Sequence, residues 1–301
     1  MEPLNLSSQN LRTFVNRLFT KSELPDYTGL QVPRLTIITP SYNQAEFLER
    51  TILSVLNQGY PNLEYMIIDG GSTDNSVEVI KKYEPYLSYW VSEKDKGQVD
   101  ALNKGLRKAT GQWIAFQNSD DVYFPGTLHR FAQALQSGHS EADILYGDLY
   151  MIDTNDQATE LLKTIPFSFS SQLWEGMQIH NQSLFFKRSL TDRYGLFDES
   201  YRFAFDYEFI TRYTAQKGVV AKRVGGMAGA LRVHESAKSS TIANIGREEH
   251  HKIQSDFAAK LKQQVPTKIE YLCIRLRKAL YLLTDMDFAY LRHRLEIFRK
   301  G

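Results

Sequence analysis

Two hydrophobic periods alternate along the first half of this chain. Residues 1–33 read as a helical arm with turn signals at Pro25 and Pro33, after which the run Leu35-Thr36-Ile37-Ile38-Thr39 predicts a buried strand. Over 45–58, Phe47, Leu48, Thr51, Ile52, Val55 and Leu56 share one helical face, and Gly59-Tyr60-Pro61 stops the helix. Strands follow over 63–68, 87–91 and 113–117, separated by helices over 74–83 and 99–109, with Gly111 beyond the second. Strands alternating with helices at this spacing mean βαβ units and a mainly parallel sheet with right-handed crossovers. In such sheets ligands gather at the carboxyl ends of the strands.

The pattern loosens from about residue 140, with strands expected over 144–152 and 183–186 and a helix over 203–216. The run Met227-Ala228-Gly229-Ala230-Leu231-Arg232-Val233 is a further strand whose small residues carry little β-propensity and whose glycine predicts a close backbone approach. Residues 245–301 read as two or three amphipathic helices, broken near Pro266 and near 284–287.

Composition narrows the class. With 301 residues, 42% hydrophobic and 24% charged, the chain is an ordinary globular one, neither disordered, collagenous nor disulfide-built. Its single Cys273 excludes an internal disulfide and fits a reducing, cytoplasmic compartment. The first residues lack the pattern of a secretory signal, and no apolar run is long enough for a transmembrane helix. A net charge of +1 argues against a nucleic-acid partner, yet residues 260–301 hold ten Lys/Arg against four Asp/Glu, leaving that tail at +6 and the rest at −5.

Three polar clusters each follow a predicted strand. In Thr39-Pro40-Ser41-Tyr42-Asn43, Tyr42 is placed to stack on a base or sugar and Asn43 to cap the next helix, although a plain capped turn accounts for the same residues. No GxGxxG or GxxxxGK[ST] follows this strand, so the usual dinucleotide and P-loop readings lose support. In Asp69-Gly70-Gly71-Ser72-Thr73-Asp74 the glycines permit unusual backbone angles and Asp69 is placed to accept hydrogen bonds from a ligand such as a base, while Asp74 can cap the following helix. In Asn118-Ser119-Asp120-Asp121 adjacent carboxylates repel, and both stay ionised more easily beside Mg²⁺ or Mn²⁺ bound between them and an anionic substrate. An isolated polar turn before a helix at Pro125 is the plainer alternative.

TPSYNQ, IIDGGSTDNS, DKGQVDALNKGL and QNSDDVYFPGTL, in this order between residues 39 and 128, resemble the nucleotide-binding half of family 2 glycosyltransferases with the GT-A fold. The resemblance covers about 34–240 and divides the chain into an N-terminal arm (1–33), a glycosyltransferase domain (34–240, with a nucleotide-sugar half over 34–128 and an acceptor half over 129–240) and a basic helical extension (241–301). It implies a nucleotide-diphosphate sugar donor, UDP-sugar favoured, with Pro40, Tyr42, Asn43 and Asp69 near the nucleoside, and Asp100 and Asn118 lining the donor site. Asp120 and Asp121 would form the family's DXD-like element, Asp120 facing ribose or sugar and Asp121 ligating Mn²⁺ or Mg²⁺. Many members carry two acidic residues where this chain has Asp69-Gly70.

In the acceptor half, Ile179-His180-Asn181-Gln182, Gly195-Leu196-Phe197-Asp198-Glu199 and Phe205-Asp206-Tyr207-Glu208 resemble further family segments. Asp206 matches the catalytic base of inverting members, with Glu208 the alternative carboxylate and His180 and Gln182 acceptor or donor-sugar contacts. Inverting transfer asks for such a group, because the acceptor hydroxyl must lose its proton as it attacks the anomeric carbon. Arg232-Val233-His234-Glu235-Ser236 resembles a loop that closes over the diphosphate with His234 near the metal; a structural histidine is the other reading. The QxxRW element of processive members is absent, which implies addition of one sugar.

In the tail, Leu272, Leu276, Leu280 and Leu283 share one helical face with Arg275 and Lys278 away from it, and Phe288, Leu291, Leu295 and Phe298 repeat this beside Arg292 and Arg299. Such helices lie on anionic membrane surfaces or pack on protein. A lipid-linked or glycan acceptor in surface polysaccharide assembly, met at the inner face of the membrane, follows from family and tail together. The competing reading from another class is a non-catalytic sugar-nucleotide-binding or scaffold subunit, disfavoured because a scaffold needs neither Asp121 nor Asp206. A nucleotidyltransferase would require a Gly-rich basic loop where TPSYNQ stands.

Overall fold

The computed structural model describes residues 8–237, 241–262, 264–284 and 290. A helix, α1 (Ser8–Phe14), precedes the alternating core: β1 (Leu35–Ser41), α2 (Ala45–Leu56), β2 (Leu63–Asp69), α3 (Ser76–Tyr83), β3 (Tyr89–Ser92), α4 (Gln98–Lys108) and β4 (Trp113–Phe116). These four strands are parallel, in the order β3-β2-β1-β4. β1 is buried along its whole length because it is central and covered on both faces, Leu35 and Ile37 packing to one side and Ile38 to the other.

The sheet continues as β8 (Leu184–Lys187), β6 (Ile144–Ile152), β9 (Ala221–Arg232) and β5 (Val122–Tyr123), with β7 (Ala158–Leu162) on β6, nine strands among the described residues. Here the expectation of a mainly parallel sheet gives way to mixed pairing: β8 runs antiparallel to both β4 and β6, and β5 antiparallel to β9, whereas β9 runs parallel to β6. The remaining helices are α5 (Thr127–Gln136), α6 (Phe169–Trp174), α7 (Ser189–Tyr194), α8 (Phe205–Thr214), α9 (Ala243–Lys260) and α10 (Lys268–Thr284).

The late strand is longer than its pattern suggests, starting at Ala221, and it carries a bulge: Tyr146 of β6 opposes Arg223, but Asp148 opposes Ala228. Gly147 lies where the bulge crosses, and a Cβ there would stand 1.8 Å from the Met227 carbonyl oxygen. The close approach expected at Gly229 is real, since a Cβ on it would meet the Gln182 carbonyl oxygen at 1.9 Å.

The segments flanking the core are packed into it. Leu11, Phe14 and Val15 bury against Val122, Phe124, Ile152, Ala228 and Ala230, and Asn57 Nδ2 donates to the carbonyls of Phe14 and Arg17. Ile253 and Phe257 of α9 join the main apolar cluster around Phe186, Phe197 and Phe209. The tail's second apolar group, Phe288, Leu291, Leu295 and Phe298 with Arg292 and Arg299, lies outside the described residues. Among the described residues no helix is long and apolar enough to cross a membrane.

Candidate donor and transfer site

The carboxyl ends of β1, β2 and β4 bring the three polar clusters to one edge of the sheet, where the end of β9 joins them. Asp121 is the centre. Its side chain is fully buried, and Oδ2 accepts from Asn118 Nδ2 at 3.0 Å and Gln182 Nε2 at 2.8 Å while Oδ1 accepts the Arg232 backbone N–H at 2.9 Å. Thr51 Oγ1 donates to the Asp121 carbonyl at 2.7 Å, tying the turn to α2. Burial first, and the neighbouring Asp120 charge second, push the Asp121 carboxyl well above the usual carboxylate range. A buried carboxyl in this state is stabilised as a carboxylate by any cation that reaches it.

Asp120 turns the other way, its Oδ2 lying 3.1 Å from His234 Nε2, and His234 Nδ1 lies 2.9 Å from Ser236 Oγ. The imidazole rests on Phe47, ring centroids 4.8 Å apart. Arg232, a fully buried cation, binds the Asp120 carbonyl through Nε, the Asp153 carbonyl through Nη1 and Asp156 Oδ1 through Nη2 at 2.6 Å. Carboxylate oxygens and an imidazole nitrogen are donors that a hard or borderline divalent ion such as Mn²⁺ accepts, but here His234 pairs with Asp120 while Asp121 is turned into its own clamp. Among the described residues no group of three or more acidic, histidine or cysteine side chains is placed to hold a metal ion. Few protein ligands, with the balance from substrate phosphates and water, is the usual arrangement for Mg²⁺.

Several expected contacts are placed differently. Asp69 was expected to receive a base, but it is buried and its oxygens hold their own turn: Oδ2 accepts the Gly71 and Ser72 N–H groups and Ser92 Oγ, and Oδ1 accepts Ser72 Oγ. The turn directs its N–H groups inward because Gly71 takes φ +81°. Asn43 does not cap α2. It adopts φ +50° and its Oδ1 accepts the Thr73 N–H, while Asp74 Oδ2 accepts the N–H of Ala45 and Oδ1 that of Ser76, serving both helix starts. Gln182 clamps Asp121 instead of facing outward, and Asn118 joins the same clamp, its Oδ1 accepting from Gln98 Nε2.

Pro40 is buried at the end of β1, whereas Tyr42 is 58% exposed and leaves a ring free to stack. Asp100 Oδ2 accepts the Lys96 N–H and stands 3.7 Å from Lys104 Nζ, which fixes the loop ahead of α4.

Asp206 occupies the first turn of α8 and is half-buried, its Oδ1 accepting the Tyr207 N–H. Glu208 is not an outward carboxylate: it is buried against Arg212, 2.8 Å from Nε, and Arg212 in turn binds the carbonyls of Tyr194 and Leu196. Two residues of helix turn the chain by about 200°, so Asp206 and Glu208 point to opposite faces and cannot share an orientation. His180 is half-buried, and burial aided by the Lys278 charge pushes its imidazole down to about 4. The pattern did not reveal Glu249 of α9, whose carboxylate accepts the N–H groups of Arg202, Phe203 and Ala204 just ahead of α8. Nor does it reveal Arg232 as the centre of a buried network, although Arg232 and His234 share one motif.

Known proteins share both sequence and fold with this chain. The model of glycosyl transferase family 2 matches residues 36–205. An uncharacterized glycosyltransferase of Mycobacterium tuberculosis is 35% identical over 182 residues, 60% of this chain and 68% of that protein. A PGL/p-HBAD biosynthesis glycosyltransferase of Mycobacterium bovis is 30% identical over 197 residues, covering 64% and 74%. In fold, the chain is similar to Staphylococcus aureus TarS 1-349 in complex with UDP-GlcNAc, with TM-score 0.60, 18% identity and coverage of 79% and 69%. It is also similar to the mannosyltransferase PcManGT of Pyrobaculum calidifontis in complex with GDP-Man and Mn²⁺, with TM-score 0.57, 22% identity and coverage of 86% and 72%. The expected GT-A architecture is therefore present, and from its four motifs and the match over residues 36–205 the chain belongs to glycosyl transferase family 2.

Proposed function

We propose that this chain is an inverting glycosyltransferase that moves one sugar from a nucleotide-diphosphate sugar, a UDP-sugar in preference, to a hydroxyl of a glycan or lipid-linked acceptor in surface polysaccharide biosynthesis. It works in the cytoplasm at the inner face of the membrane. The observation that carries the donor half is the clamped, desolvated Asp121 beside Asp120 and His234 at the strand ends. The ligands named for the two structural relatives, UDP-GlcNAc in one and GDP-Man with Mn²⁺ in the other, support the same class of donor.

In this reading Tyr42 stacks on the nucleoside, the loops held by Asn43, Asp69 and Asp100 shape its seat, and Asp121 with His234 holds the divalent cation. That ion supplies charge compensation for the departing diphosphate. Asp206 takes the proton of the acceptor hydroxyl as it attacks the anomeric carbon, the bond to the nucleoside diphosphate breaking on the opposite side. His180 is a candidate acceptor contact, because it stays neutral and can donate or accept.

A thermal-shift screen of UDP-, GDP- and dTDP-sugars with and without Mn²⁺ tests the donor side, since a ligand of the native state raises its apparent stability. A metal-dependent rise with one nucleotide class is expected. Asp121→Ala is expected to abolish that rise, and Asp206→Asn to keep it while losing transfer to acceptor. Folded protein that responds to no donor would favour the scaffold role instead.

A further inference from the structure

On α10, Ile269, Leu272, Leu276, Leu280 and Leu283 are each more than half exposed. At about 100° per residue they form one stripe along the helix. The opposite side is already packed: Tyr271 Oη donates to the Trp174 carbonyl at 2.7 Å, Arg223 Nη1 donates to Tyr281 Oη, and Ile274 and Leu282 are partly buried. The stripe is therefore left over after the helix has met its own domain. Lys268 and Arg275 border one edge and Arg277 the other, and the one acidic residue of α10, Glu270, is held by the N–H and hydroxyl of Thr267. Leu280 also lines a cavity of about 290 Å³ with Ile165, Pro166, Arg277 and Tyr281, an apolar recess with a guanidinium in its wall.

We infer that this face of α10 docks on an anionic lipid bilayer, the leucines entering the acyl boundary, the basic borders meeting lipid phosphates and the recess receiving part of an acyl chain. Charge selects this occupant: a stripe made for a second copy of the chain would set Lys268, Arg275 and Arg277 against their own kind, whereas an anionic surface is complementary to all three. The helix lies on the bilayer and does not cross it. Docking also brings the acceptor half to the surface, because α10 contacts α6 through Trp174 and Tyr207 of α8 donates to the Leu173 carbonyl of the same helix. This deepens the lipid-linked reading of the acceptor, yet the contact itself is measurable with neither donor nor acceptor present.

The single cysteine, Cys273, is exposed on the same helix and gives a labelling position for an environment-sensitive dye. With the full chain, vesicles of mixed phosphatidylglycerol and phosphatidylcholine are expected to sediment the protein and shift the dye to the blue, whereas phosphatidylcholine alone does neither. Arg275→Gln with Arg277→Gln leaves the stripe intact and should weaken vesicle binding about thirtyfold. Leu276→Glu with Leu280→Glu should abolish it, with the circular dichroism spectrum and melting temperature retained. Equal binding to neutral and anionic vesicles would overturn the inference. So would a concentration-dependent dimer, seen by sedimentation velocity without lipid, that the leucine substitutions dissolve. Loss of vesicle binding with an intact nucleotide-sugar response sinks the docking alone; the converse result sinks the donor reading alone.

Discussion

Arg232 ties the site together through both its backbone and its side chain. Its backbone N–H holds Asp121, its guanidinium holds the Asp120 carbonyl and Asp156, and the ring of Phe47 lies 4.9 Å from its Cζ. Removing a buried partner leaves the other charge stranded, although Asp156 keeps Arg50 at 3.2 Å. Arg232→Ala is expected to cost about 3 kcal/mol in urea unfolding, at the lower end for broken buried pairs, and to weaken Mn²⁺ binding as well. Asp121 adds a pH dependence. Its carboxyl is held above the usual range, so the folded chain keeps a proton that a cation must displace. Mn²⁺ affinity should therefore rise with pH, with proton release seen by calorimetry in buffers of different ionisation enthalpy.

His180 acts on stability instead. Its imidazole stays neutral down to about 4 in the fold against an ordinary 6.5, so between those values the unfolded chain binds more protons. Its effect is nil above that window, and stability falls as pH drops through it. His180→Gln should flatten that part of the curve in urea titrations.

At the level of elements, α9 shows how a segment outside the sheet positions the transfer residue. Glu249 receives three N–H groups from Arg202 to Ala204 and so fixes the entry to α8, where Asp206 stands. His250 stacks on Tyr207 with ring centroids 4.4 Å apart, and a Cβ on Gly246 would stand 2.5 Å from the Phe203 ring. Glu249→Ala leaves those donors without their acceptor and is expected to destabilise by about 1–3 kcal/mol. Transfer should fall while the thermal response to nucleotide-sugar is unchanged, which separates positioning of Asp206 from donor binding. The pairing of β9 with β5 is the other decisive element, because setting Ala230 opposite Val122 brings the Arg232 N–H to Asp121.

For the molecule as a whole, the N-terminal arm is a structural member of the core. Leu11, Phe14 and Val15 are buried against β5, β6 and β9, the strands whose ends carry Asp121 and Arg232. At about 1.5–3 kcal/mol for each large apolar side chain, deleting residues 1–18 should cost about 5 kcal/mol. The expected result is a lowered melting temperature and faster proteolysis near Val122, with weaker donor binding as a consequence. The division of the chain at residue 33 thus follows the sequence pattern and not the packing.

The sequence by itself determined the parallel half of the sheet, the presence of the clusters at its strand ends, and the family. Period-2 and period-3.6 patterns are local, and a βαβ unit forces its loops to the carboxyl ends of the strands. It determined the stripe on α10 too, since four leucines at helical spacing are visible in one dimension. Only the tertiary structure decided which carboxylates face inward. Asp69 and Glu208 resemble site acids by position, yet one is enclosed by the N–H groups of its own turn and the other by Arg212. The clamp on Asp121 could not be read either, because Asn118, Gln182 and Arg232 lie up to 114 positions apart in sequence and meet only when β9 runs beside both β6 and β5. Short strands such as β5, with two residues, have no periodicity to detect, and their pairing comes from the partner strand.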